Sequence, residues 1–175
     1  TDKKPIKENY ITLRLGNVSA PTNQSEAYHL EISANKIVLT ANAPQGMYSG
    51  VQTLLQLMRD AVFVDATEIT DWPAFTWRGF MVDVGRNYQS MKLLKQQIDA
   101  MAAYKLNVFH FHPTEDIAWR LQSKLYPQLT DPEFMLRDKG EYYTENDIKE
   151  LINYCKERYI TFIPEIDMPG HSAAF

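Results

Sequence analysis

The chain is poor in the features that would settle its class at a glance. It has a single cysteine, Cys155, which excludes an internal disulfide framework. It has no apolar run of the roughly 18 residues that a membrane-crossing helix needs. Excess positive charge is also missing. Its 18 Lys and Arg face 22 Asp and Glu, a formal net charge of −4, which argues against nucleic acid or an anionic membrane surface as the main partner. No internal repeat and no low-complexity segment is visible. There remains a globular composition, 45% hydrophobic and 23% charged, with length for one ordinary domain or two small ones.

The first part reads as sheet and helix. Tyr10 to Leu15 alternates apolar and polar residues, the period of a half-buried strand, and Tyr28 to Ser33 and Lys36 to Ala41 do the same. Ala34-Asn35 between the last two predicts a tight hairpin. From Gly46 to Arg59 the period changes: Met47, Val51, Leu54, Leu55 and Met58 recur at three and four, so a helix packs on that sheet. Thr67 to Pro73 is polar and extended before its proline, and it reads as the boundary of the module.

Phe75 to Arg86, FTWRGFMVDVGR, organises the second part of the chain. Trp77 to Val84 reads as a buried strand, and Arg78 within it needs a partner, because an unpaired buried charge costs several kcal/mol. That partner is either a carboxylate of the fold or the polar groups of a ligand. Ser90 caps a helix with Leu94, Ile98, Met101 and Ala102 on one face. Leu106 to His112 is the next strand. Thr144 to Asp147 resembles a capping box with Asp in the usual place of Glu, opening a helix on Ile148, Leu151, Ile152 and Cys155. Ile160 to Ile166 is a third strand. The order β-α-β-α-β is that of a parallel sheet or barrel.

Parallel α/β folds bind ligands at the carboxyl ends of their strands. The residues there are Asp83 and Arg86, then His110 to Asp116, then Glu165, Asp167 and His171. Three strand ends rich in titratable groups point to a site. His110 and His112 lie two apart, on one strand face. That spacing can hold zinc with Glu165, Asp167 or His171, or leave one histidine inside the barrel and the other on a carboxylate. In PEIDMPGH, Glu165 and Asp167 share a face. Pro169-Gly170 turns the chain so that His171 folds back, where carboxylates can poise it to tune a catalytic acid.

On these residues the chain resembles the N-terminal part of a β-N-acetylhexosaminidase of glycoside hydrolase family 20. The likeness runs from Glu26-Ala27-Tyr28 and YSGVQTLLQL, through WRGFMVDVGR and NVFHFH with WRLQSKLYPQLT, to PEIDMPGH. It implies a small α+β domain over residues 1–70, then the first β/α units of a (β/α)8 TIM barrel over residues 71–175, truncated after three strands and two helices. It implies hydrolysis of terminal GlcNAc or GalNAc from glycans, in which the 2-acetamido oxygen attacks the anomeric carbon and a Glu preceded by Asp serves as acid. No Asp-Glu dipeptide occurs in this sequence, so the expectation is an enzyme fragment, inactive alone.

Carried over by position, Arg78 resembles the arginine that grips the sugar hydroxyls and His171 the histidine beside the acid. Glu115-Asp116 resembles the acidic pair, one member of which bonds that histidine. Asp83, Arg86, Glu165 and Asp167 would support this network beside the strand histidines His110 and His112. The resemblance implies no metal or cofactor, and a periplasmic, extracellular or lysosomal location. Three departures stand out: Ile117-Ala118 where the family has Gln-Gly, Glu115 where it has Asp, and Pro113 where an apolar residue is common. Two other readings are open: a non-catalytic sugar-binding relative, and a metal-dependent barrel hydrolase built on His110 and His112.

Overall fold

The computed structural model describes residues 9–59 and 63–173. The chain forms two compact units, Thr1–Thr76 and Trp77–Phe175. No helix among the described residues is long and apolar enough to cross a membrane.

The first unit is a four-stranded sheet under one helix. Its strands are β1 (Tyr10–Leu15), β2 (Tyr28–Ser33), β3 (Lys36–Ala41) and β4 (Thr67–Asp71), and the helix is α1 (Pro44–Met58). The strand order is β1-β3-β2-β4. The β2–β3 hairpin turns at Ala34-Asn35 as its sequence predicts, pairing Ser33 with Lys36 and Leu30 with Leu39. Thr67–Asp71, near the end of the first module, is itself a strand. It pairs antiparallel with β2, setting Ile69 opposite Leu30, because Ile69 continues the apolar face of that strand.

Two further expectations change. The β1 strand is not half-buried: Ile11, Leu13 and Leu15 stay more than half exposed, since β1 is the sheet edge. The contact face of α1 combines small residues with large ones, Met47, Val51 and Leu54 packing in the core as their spacing predicts. Gly46, Gly50 and Leu54 are buried, while Leu55 and Met58 face outward. A Cβ at Gly46 would stand 2.7 Å from the Ala27 carbonyl oxygen, and one at Gly50 would stand 2.5 Å from a Leu39 methyl. The helix therefore lies close against β2 and β3 because those two positions have no side chain.

The second unit contains a parallel sheet of order β5-β6-β9, formed by β5 (Gly79–Asp83), β6 (Val108–His112) and β9 (Thr161–Pro164). Helix α2 (Met91–Ala103) joins the first two strands and α3 (Glu145–Lys156) precedes the third. Both caps match their sequence signals. The Ser90 hydroxyl accepts from the Leu93 amide, and Thr144 and Asp147 form a reciprocal capping box. A short hairpin of β7 (Thr114–Glu115) and β8 (Ala118–Trp119) comes directly after β6.

Alternation divides this sheet into two faces. On one, Phe109 and Phe111 are fully buried and stack with Phe162 and Tyr143 at centroid separations of 5.3–6.0 Å. Leu94 and Ile98 of α2 and Leu151 and Cys155 of α3 are buried as well. On the other, register aligns Met81 with His110 and Asp83 with His112. The β5 strand is not buried throughout. It is an edge strand, and Trp77, Phe80 and Met81 are exposed while Val82 and Val84 are buried.

Candidate active site

The polar groups gather at the carboxyl ends of β5 and β6. Just past β5, the Val84 and Gly85 amides both donate to the His112 carbonyl, at 3.0 and 3.1 Å. This clamp brings Gly85 against the β7 backbone, where a Cβ would meet the Glu115 Cβ at 2.9 Å and the Thr114 carbonyl carbon at 3.0 Å. Only a glycine lets the two strand ends approach so closely, and the approach sets Glu115 beside Arg86.

Glu115 is the hub. Its side chain is almost fully buried, and its Oε1 accepts from Arg86 Nη2 at 2.5 Å and stands 2.5 Å from His171 Nδ1. Its Oε2 accepts from the Asp116 amide at 2.6 Å. Nδ1 also lies 3.4 Å from Arg86 Nη2, so Nε2 of His171 is the nitrogen left to face a substrate or another catalytic group. His171 itself has φ 53°, in the left-handed region that few non-glycine residues adopt. Asp116 does not bond the histidine side chain. It takes the Ala173 amide at 3.0 Å and so anchors the turn that carries His171. Of the two acidic candidates, Glu115 orients the ring and Asp116 holds its loop.

Arg86 is gripped from two sides and remains half exposed. Its Nη1 meets Asp83 Oδ2 at 2.7 Å, and its backbone amide donates to Asp83 Oδ1 at 2.9 Å. A guanidinium fixed on two carboxylates, with surface to spare, is prepared for planar recognition of hydroxyl or carboxylate oxygens. Arg78 lies elsewhere. It stands just before the first residue of β5, about 16 Å of strand from Asp83. Its Nε donates to the Lys105 carbonyl at 2.8 Å in the loop before β6. The structure therefore does not bring Arg78 to the cluster. Strand direction alone carries that signal, because Arg78 stands at the amino end of β5 and Arg86 beyond its carboxyl end.

The histidines are divided between two groups of carboxylates. His110 pairs with Glu165. His112 stands between Asp83 and Asp167, with Nδ1 3.6 Å from Asp83 Oδ2 and Nε2 3.2 Å from Asp167 Oδ2. His112, Glu165 and Asp167 form one group that could hold a metal ion. Glu115, Asp116 and His171 form a second, in which Arg86 already supplies the positive charge.

One residue central to the site's support is not apparent as such from sequence. Arg120 is fully buried yet carries a charge. Its guanidinium donates to the carbonyls of Val84, Arg137, Asp138 and Glu141 at 2.9–3.2 Å, with Asp138 Oδ2 at 3.6 Å. It joins the end of β5 to the turns at 137–141. Arg137 in turn reaches the Arg86 carbonyl and Asn87.

A parallel sheet with titratable side chains converging past its strand ends defines an α/β enzyme site. Likeness to known proteins narrows the class. Residues 75–175 match the profile of the glycosyl hydrolase family 20 catalytic domain and residues 2–72 that of the family's domain 2. The chain belongs to glycosyl hydrolase family 20. A β-hexosaminidase of Porphyromonas gingivalis is 39% identical over 167 residues, covering 86% of this chain and 21% of the relative. The crystal structure of a β-N-acetylhexosaminidase from Bacteroides fragilis superposes with TM-score 0.83 at 35% identity, over 94% of this chain and 34% of that one. An exo-β-N-acetylglucosaminidase of Vibrio harveyi, solved in complex with N-acetylglucosamine, gives TM-score 0.82 at 34% identity, over 94% and 28%. The chain thus spans between a fifth and about a third of the length of these relatives.

Proposed function

We propose that the chain supplies the first domain and the opening strands of the catalytic barrel to an exo-β-N-acetylhexosaminidase. The enzyme would release terminal GlcNAc or GalNAc from a glycan with retention, the substrate's own acetamido oxygen serving as nucleophile. The observation that carries this reading is the shared Glu115 oxygen, which fixes a half-exposed arginine and a histidine side by side at the strand ends. In this reading Arg86, rather than Arg78, holds the hydroxyls of the terminal sugar. His171, with Nδ1 turned to Glu115, uses Nε2 to orient the acid. The family's Asp-Glu pair has no counterpart among these 175 residues, so acid and acetamide partner are assigned to other parts of the protein. The extra methylene of Glu115 relative to aspartate is taken up by the reach to His171. A location outside the cytoplasm is the expectation from the resemblance, and fractionation tests it.

The deciding experiment compares an aryl 2-acetamido-2-deoxy-β-glucoside with the matching plain β-glucoside, using the full-length protein. Turnover of the acetamido substrate alone is expected, and equal turnover of both would remove substrate assistance. Arg86→Ala should raise KM and lower kcat/KM roughly 10- to 100-fold, the range of one or two charge-assisted hydrogen bonds lost. Arg78→Ala should lower the melting temperature and leave KM near wild type. The reverse pattern would return the sugar to Arg78.

A further inference from the structure

We infer that His112 is a positioning residue that ties Asp167 to the Asp83–Arg86 pair and so fixes the guanidinium offered to the sugar. Its consequence for binding rests on the hexosaminidase reading, and its geometry does not. His112 is 2% exposed, yet neither ring nitrogen makes a hydrogen bond with any described group. Burying an imidazole this way is costly. A carboxylate oxygen stands near each nitrogen, 3.6 Å from Nδ1 and 3.2 Å from Nε2. Neither contact is a directed bond, so the ring acts as a spacer between two carboxylates.

Asp83 is thereby loaded from both sides, because its Oδ2 also accepts Arg86 Nη1 at 2.7 Å. The His112 ring further stands edge-on to the His171 ring, with centroids 6.0 Å apart. Without the imidazole, Asp83 and Asp167 would face one another with no group between them, and their mutual repulsion would shift Asp83 together with the guanidinium it holds at 2.7 Å. A cation among His112, Asp167 and Glu165 is the competing occupant of this space, but Glu165 is already committed to His110.

The test uses His112→Phe, which keeps the volume and removes both nitrogens, and His112→Asn, which restores a polar donor, both in the full-length protein. Crystal structures should show Asp83 and the Arg86 guanidinium displaced together in His112→Phe and restored in His112→Asn. Calorimetry with free N-acetylglucosamine should show affinity falling about tenfold in the first variant and partly recovering in the second. An unmoved Arg86 guanidinium in His112→Phe overturns the inference. A displaced guanidinium with unchanged sugar affinity upholds the positioning and instead refutes Arg86 as the sugar ligand. If His112→Phe does not fold, Asp167→Asn and its double variant with His112→Asn take its place, and strictly additive losses in affinity overturn the link. Tight zinc binding by the wild type that His112→Asn abolishes would overturn it in favour of a metal site.

Discussion

At the scale of single residues, the molecule's most exposed risk is Arg120. It holds five backbone carbonyls, two just past β5 and three in the turns at 137–141, in a place water does not reach. Arg120→Met would keep much of the volume and strand those carbonyls without donors, at about 3–5 kcal/mol. Chemical denaturation should show a loss of that size. Hydrogen exchange should accelerate at the Tyr143 amide, which bonds the Arg120 carbonyl. Arg120→Lys should recover little, because one ammonium cannot span carbonyls that a planar fork reaches together. A variant within about 1 kcal/mol of wild type would mean that water satisfies the carbonyls. The site itself was legible in part at this scale. Glu115, His171, Asp83 and Asp167 stand out from sequence because they lie at or beyond strand ends, and all four enter the network. Arg78 stands out as a charge in an apolar run, and Arg86, further along the same segment, is the one the fold delivers. The work of Gly85 and Arg120 is invisible before the fold is known, since both act on backbone atoms remote in sequence.

Secondary-structure elements were legible to the extent that their information is local. The Ala34-Asn35 hairpin, the Ser90 cap and the Thr144 capping box each lie within a few consecutive residues, and each is present. Features that depend on neighbours were misjudged. Ile11, Leu13 and Leu15 carry the pattern of burial but sit on a sheet edge, and Thr67–Asp71, polar enough to read as a module boundary, pairs with β2 as an outer strand. Helix α1 is the clearest case, because a search for large apolar residues passes over glycines that bring a helix close. Gly46→Ala provides the test. Helix propensity favours the alanine by about 1 kcal/mol, whereas its Cβ would lie 2.7 Å from a backbone oxygen that cannot rotate away. Overpacking of that kind costs about 1–3 kcal/mol, so the variant should melt at a lower temperature despite its better propensity. A rise in melting temperature would show that α1 shifts freely on its sheet.

At the scale of the whole molecule, the fall of stability at high pH comes from acids buried without their charge. Burial pushes the Cys155 thiol from 9.0 up to about 12. Burial also raises the Tyr143 phenol, against a smaller opposing effect of its hydrogen bond to the Gln89 carbonyl. In the unfolded chain Cys155 loses its proton near pH 9, while in the folded protein it keeps it until about 12. Between those values the folded state binds more protons than the unfolded one, so stability must fall as pH rises. The contribution is complete below pH 9 and shrinks by about 1.4 kcal/mol per pH unit above it. Tyr143 adds a loss of the same sign once the unfolded phenol ionises. Urea titrations at about pH 7.5, 9, 10 and 11 should therefore give a flat stability and then a steepening decline. Cys155→Ala removes one of the two protons involved, so its decline should begin about a unit later, where the tyrosine ionises, and remain shallower. Equal slopes for the two proteins between about pH 9 and 10 would show that the thiolate is tolerated inside the fold, and that the helix–sheet core around it is open to water.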